Sequence, residues 1–170
     1  MRARISPRGG VDYTVAGGRQ RFDRVCASNP VTVVGLQEEP LSAESRRYIN
    51  LPNRPANLPF SDAVLVGDTL YISGRIGLDP ATGEAPESID AEIELLFEGF
   101  EAVLREAGMT MDDLVWVQVY SPDVSLWQQF NSAYVKLFSR EFPARAFLGS
   151  GELLLKGRFE MLGIAVKDRS

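Results

Sequence analysis

The chain has 170 residues, 45% of them hydrophobic, which suits one globular domain with a proper core and a short appendage rather than two full domains. A formal charge of −5 argues against a protein built mainly to hold a polyphosphate backbone. There is no histidine, which excludes Ser-His and Cys-His nucleophile pairs, histidine general bases and every histidine-containing metal site, and a single cysteine, Cys26, excludes an internal disulfide and a thiolate zinc site.

Residues 1–24 carry six Arg against two Asp and are rich in Gly, so 1–44 reads as an N-terminal extension, a mobile arm with an RNA or partner tail as its functional alternative. The basic start is not followed by the apolar run of a secretory signal, and no stretch approaches the roughly 20 apolar residues of a membrane span. With its single cysteine, the chain is therefore expected to be soluble and cytoplasmic.

From about residue 45 the pattern becomes regular, and 45–170 reads as the folded domain. Arg46 to Asn50 suits a first strand, after which Pro52, Pro55 and Pro59 impose an extended connector. Phe60–Val66 and Thr69–Gly74 flank Gly67-Asp68, and Gly at the first turn position suits a two-residue type II′ hairpin. Between Ser88 and Ala107, Ile93, Leu96, Phe97, Phe100, Val103, Leu104 and Ala107 follow helical spacing, with Gly108 as the stop. Leu114–Tyr120 alternates as a strand, and a second amphipathic helix starts near Asp123 or Ser125 and runs to Phe138. Asn131 lies on or beside its apolar face, where a polar side chain needs hydrogen-bond partners and most often serves the core. Trp116 and Trp127, with Phe130 and Tyr134, sit at core spacing rather than forming a base-stacking platform. Strands near Arg145–Leu148 and Arg158–Val166 complete an α+β order that suits one mixed sheet with two helices on one face. The other face, rich in aliphatic and aromatic side chains, is expected to be closed by oligomerisation, with the active site at the subunit junction.

Two charged residues stand out in strand-like segments fifteen positions apart, Arg145 and Glu160. Glu160 alternates with Leu162, Ile164 and Val166, so a carboxylate shares a face with aliphatic side chains. Leaving it there without compensation would cost several kcal/mol or raise its pKa, so an ion pair, several hydrogen bonds or a functional pocket must compensate.

The ordered motifs Pro59-Phe-Ser-Asp-Ala63, Gly67-Asp-Thr-Leu-Tyr-Ile-Ser-Gly74, Leu78-Asp-Pro-Ala-Thr-Gly-Glu84, Leu126–Phe138, Pro143-Ala-Arg145 and the late Glu160 resemble the Rid family. These are the YjgF-type enamine and imine deaminases, also labelled L-PSP endoribonucleases. The resemblance covers about residues 45–167. It implies a chorismate-mutase-like fold, a homotrimer with clefts between subunits, and cofactor-free hydrolysis of enamines or imines of amino acids to 2-oxo acids and ammonia. Carried over, Arg145 matches the arginine that binds the substrate carboxylate and Glu160 the glutamate that positions or activates water. Ser73, Gly74, Asn131, Phe60 and Phe147 match other cleft positions. A planar guanidinium suits two parallel hydrogen bonds to a carboxylate, and a protonated imine needs only a base and a positioned water. The chain departs from the family pattern at Phe60, where Tyr is common, at Phe147, where a small residue or Cys is common, and in the loop 149–156, which lacks a Leu-Pro-Lys element. The first two substitutions predict a more apolar cleft that prefers bulkier imines. Two other functions compete: a non-catalytic trimeric binder of small carboxylates or a protein, and an endoribonuclease or translation inhibitor, disfavoured by the acidic charge.

Overall fold

The computed structural model describes residues 4–5, 11–12 and 45–168, apart from 53 and 56. It falls into two units, Met1–Pro40 and Leu41–Ser170. In the first, β1 (Arg4–Ile5) pairs antiparallel with β2 (Val11–Asp12). The expectation of a mobile arm over 1–44 otherwise lies outside the described residues.

The second unit is a single six-stranded mixed sheet with two helices, the chorismate-mutase-like α+β fold expected from the sequence. Its strands are β3 (Arg46–Ile49), β4 (Ala63–Val66), β5 (Thr69–Ile76), β6 (Leu114–Ser121), β7 (Ala144–Gly149) and β8 (Glu160–Val166). They lie in the order β3-β4-β5-β8-β6-β7, all antiparallel except the β6–β7 pair. The β4–β5 hairpin closes at Gly67-Asp68, where Val66 pairs Thr69 and Gly67 takes φ +56°, a conformation that glycine adopts without a Cβ penalty.

Helix α1 (Ile89–Glu106) carries the chain from β5 to β6, with β8 inserted between them, and α2 (Trp127–Tyr134) carries it from β6 to β7. Both connections join parallel strands and step in the same direction across the sheet. Right-handed crossovers then put both helices on one face. Ser88 starts α1 by accepting a hydrogen bond from the Ala91 N–H, and Gly108, at φ +72°, follows its end. Ile93, Leu96, Phe97, Phe100, Val103 and Leu104 are buried against the sheet. The second helical segment is shorter than its periodicity suggested: single 3-10 turns at Val124–Leu126 and Val135–Leu137 flank an α-helix of only eight residues.

The two sheet faces differ sharply. Leu70, Ile72, Val117, Val119, Met161 and Ala165 point at the helices and are buried. On the opposite face one cross-strand row runs Tyr48, Val64, Tyr71, Ile164, Trp116, and Tyr48 and Tyr71 are 62% and 51% exposed. Trp116 is thus on the bare face rather than in the core. Trp127 is 46% exposed on α2, so its helical spacing did not translate into burial.

Candidate functional site

Glu160 opens β8 between Ile76 of β5 and Tyr120 of β6. Its neighbours in sequence, Phe159 and Met161, are fully buried under the helices, so the two-residue strand period turns Glu160 to the bare face, as the sequence alternation predicts. The register between β5 and β8 slips between Ile72 and Arg75, which makes Ser73 and Gly74 a bulge. A side chain at Gly74 would overlap the Glu160 carboxylate. Gly74 therefore provides the floor on which that carboxylate rests. Ser73 is anchored beside it, its hydroxyl donating to the Ser61 carbonyl at 2.7 Å and its N–H to the Asp62 carbonyl at 3.0 Å.

Arg145 stands on the edge strand β7 opposite Val117, a buried residue of the helix side. Its guanidinium accordingly lies under α2: Nη2 donates to Asn131 Oδ1 at 2.6 Å, and the cation sits 4.3 Å from the Tyr134 ring centroid. Asn131 thus holds the arginine rather than cross-linking core backbone. Arg145 Nη1 and the Tyr134 hydroxyl are both buried and find no hydrogen-bond partner among the described residues. Desolvation pushes the Tyr134 phenol up to about 12, with the Arg145 cation pulling more weakly the other way. Phe147, two residues on, shares this side and packs edge-on against Phe130 at 5.8 Å and Phe159 at 6.5 Å.

Arg145 and Glu160 therefore do not meet within one subunit. They belong to opposite sheet faces, on strands separated by β6, and pair with Val117 and Tyr120 respectively, three positions apart along it. Of the sequence-predicted residues, the fold gathers Glu160, Gly74, Ser73 and Phe60 on or beside the bare face. It gathers Arg145, Asn131 and Phe147 under α2.

Phe60 and Ser73 line a cavity of about 770 Å³ with Tyr48, Asn50, Arg54 and Ser61. It is an open depression on the surface of the subunit, with Phe60 49% exposed at its rim. The expectation of a more apolar cleft at Phe60 meets a charge there, since the Arg54 guanidinium lies 5.6 Å from the Phe60 ring centroid.

Residues 51–167 match the family described as Endoribonuclease L-PSP. The chain belongs to the Endoribonuclease L-PSP family. Among curated members, the 2-iminobutanoate/2-iminopropanoate deaminase of Capra hircus is 35% identical over 129 residues, covering 75% of this chain and 94% of the goat protein. A RutC family protein of Aquifex aeolicus is 35% identical over 124 residues, 71% of this chain and 99% of its own length. The crystal structure of RidA from the Antarctic bacterium Psychrobacter sp. PAMC 21119 superposes with a TM-score of 0.66 at 34% identity, covering 71% of this chain and 99% of the RidA chain. The L-PSP match begins at Leu51, so β3 and the first unit precede it.

Within this L-PSP fold, sequence reasoning missed a buried carboxylate that fixes the approach to Glu160. Glu92 of α1 is fully buried and accepts from the Arg158 N–H at 2.6 Å, the Phe159 N–H at 3.1 Å and the Arg158 Nε. Arg158 also donates to the carbonyls of Pro86 and Glu87. The clamp ties the start of α1 to the two residues before Glu160. A signal existed, because Glu92, Leu96 and Phe100 form an i, i+4, i+8 ladder that places a carboxylate on the buried stripe. Arg54 and Tyr134 carried no comparable sign.

Proposed function

We propose that the protein hydrolyses reactive 2-imino acids, or their enamine tautomers, to 2-oxo acids and ammonia, without a cofactor. The observation that carries this reading is the Glu160 carboxylate, half-buried on the bare sheet face above side-chain-free Gly74, a position from which it can orient a water molecule. The deaminase named among the family members supports the reaction type.

The chemistry follows from the groups. A protonated imine carbon is electrophilic, so a water oxygen adds to it as Glu160 takes a proton from that water. The resulting tetrahedral carbinolamine has a hydroxyl and an amino group on one carbon. When the amino nitrogen is protonated, the C–N bond breaks, ammonia leaves, and loss of the hydroxyl proton leaves the 2-oxo acid. Arg145 supplies the carboxylate clamp, its guanidinium held in place through Nη2 by Asn131. Ser73, Phe60, Asn131 and Phe147 shape the cleft.

Because Arg145 and Glu160 face opposite ways in one subunit, the reading calls for a second subunit whose edge strand β7 approaches the bare face of the first, an arrangement that the homotrimer implied by the family resemblance would supply. That face carries Tyr48, Tyr71 and Trp116, the kind of surface that oligomerisation covers.

The test generates imines in situ with an amino-acid oxidase and follows their loss by semicarbazide trapping. Accelerated loss that disappears in Arg145→Ala and Glu160→Gln supports the reading. If the wild-type protein accelerates the decay of no imine, the deaminase reading fails and a carboxylate-binding role replaces it.

A further inference from the structure

The cavity beside Phe60 holds a cation that the proposed reaction does not use. Arg54 is fastened at two points, Nη1 donating to Asn50 Oδ1 and Nη2 to the Phe60 carbonyl, while its guanidinium carbon lies over the Phe60 ring, 5.6 Å from the centroid. Asn50 is itself fixed, because its Oδ1 also accepts from the Asp62 N–H at 3.3 Å. Asp62 in turn accepts from the Leu51 N–H at 2.7 Å and pairs with Arg75 at 3.3 Å. Asp62 is thus the carboxylate of Arg75, and among the described residues no carboxylate forms an ion pair with Arg54. The result is a guanidinium with a set orientation and no carboxylate partner among the described residues, in a cavity also lined by Ser61, Asn57 and Ser73.

The position of this cation relative to Glu160 indicates what it would recognise. Ser73 lines the cavity, Gly74 follows it in the bulge, and the Glu160 carboxylate lies over Gly74. With the imine carbon at Glu160, a substrate side chain directed past Ser73 would enter this cavity, where Arg54 is the cation it meets. Phe60 would flank its methylenes and Arg54 would take an acidic end group by charge-assisted hydrogen bonding.

We infer that Arg54 and the Phe60 cavity form a subsite for the distal carboxylate of dicarboxylic 2-imino acids, so that the preferred substrates are imines of acidic amino acids. This rests on the deaminase reading and sharpens it. The reaction that supplies such a substrate is the oxidation of a dicarboxylic amino acid at its Cα–N bond. The product is the matching dicarboxylic 2-oxo acid.

The experiment compares 2-iminosuccinate and 2-iminoglutarate, made with aspartate and glutamate oxidases, against 2-iminobutanoate, in wild type, Arg54→Gln and Arg54→Lys. The wild type is expected to favour the dicarboxylic imines in kcat/KM by about tenfold or more, the equivalent of one good charged hydrogen bond. Arg54→Gln should erase that preference and leave 2-iminobutanoate turnover unchanged, and Arg54→Lys should restore part of it. An equal preference in wild type and Arg54→Gln overturns the subsite, as does an equal loss on all three imines, which would make Arg54 the clamp for the 2-carboxylate instead.

Calorimetric binding of 2-oxoglutarate and 2-oxobutanoate gives a readout free of turnover. Tighter 2-oxoglutarate binding that is lost in Arg54→Gln supports the subsite even if no imine is hydrolysed, an outcome that defeats only the deaminase reading. Turnover of all imines with no difference in product binding defeats only the subsite.

Discussion

The absence of a side chain at Gly74 has a cost that separates activity from stability. Gly74 does not occupy the positive-φ region, and what a Cβ would strike is the far end of a flexible Glu160 side chain. Gly74→Ala should therefore leave the urea midpoint nearly unchanged while displacing the carboxylate and lowering kcat on the order of 100-fold, as misplacement of a catalytic group does. A large loss of stability with activity intact would show that Glu160 needs no such seat. Tyr134 offers a second test on the same scale. Its phenol is pushed up from 10.0 to about 12 by burial, so below pH 10 both folded and unfolded chains hold the proton and its contribution is constant. As pH rises from 10 toward 12 the unfolded chain releases the proton first, and stability falls by up to about 1.4 kcal/mol per pH unit. Tyr134→Phe should remove that part of the alkaline slope, which denaturation curves at pH 9 to 12 would reveal. At neutral pH the same change removes a buried hydroxyl with no hydrogen-bond partner among the described residues, so it should cost little stability.

Among the elements, the junction of α1 with β8 determines where Glu160 stands. Gly77 lets β5 run on closely beneath α1, since any Cβ there would meet the backbone carbonyl of Glu92. The Glu92 carboxylate then collects the Arg158 and Phe159 N–H groups and the Arg158 guanidinium. Glu92→Ala would strand two backbone donors and a guanidinium whose side chain is 27% exposed, and should destabilise the fold by about 3–5 kcal/mol. Chemical denaturation measures this directly, and a loss below about 1 kcal/mol would mean that solvent replaces the clamp. Arg75 occupies the corresponding place further along α1, its guanidinium resting beside Gly99 and pairing with Asp62; desolvation lowers its pKa and Asp62 opposes the shift.

For the molecule as a whole, opposite-facing Arg145 and Glu160 make a prediction about subunits. If each site takes its arginine from one subunit and its glutamate from another, Arg145→Ala and Glu160→Gln proteins are each inactive alone. Unfolded together and refolded as a mixture, they should regain activity, with about a quarter of the sites intact under random assortment in a trimer. Sedimentation of the wild type should give three copies. A mixture as inactive as its parents would overturn the shared site.

The two-residue alternation of β8, the helical spacing of α1 and the Gly67-Asp68 turn were legible because each is enforced within a few residues by backbone period or turn sterics. So was the chemical oddity of Glu160 among aliphatic residues, and the family that its motifs resemble. Local pattern did not reveal that Arg145 and Glu160 point away from each other, because face assignment across strands depends on the β6–β7 and β6–β8 registers. The exposure of Trp127, the partnership of Asn131 with Arg145, the Glu92 clamp and the placement of Arg54 over Phe60 were hidden for the same reason. Each joins residues from different elements, and their contacts exist only once the sheet order and the two crossovers have brought those elements together.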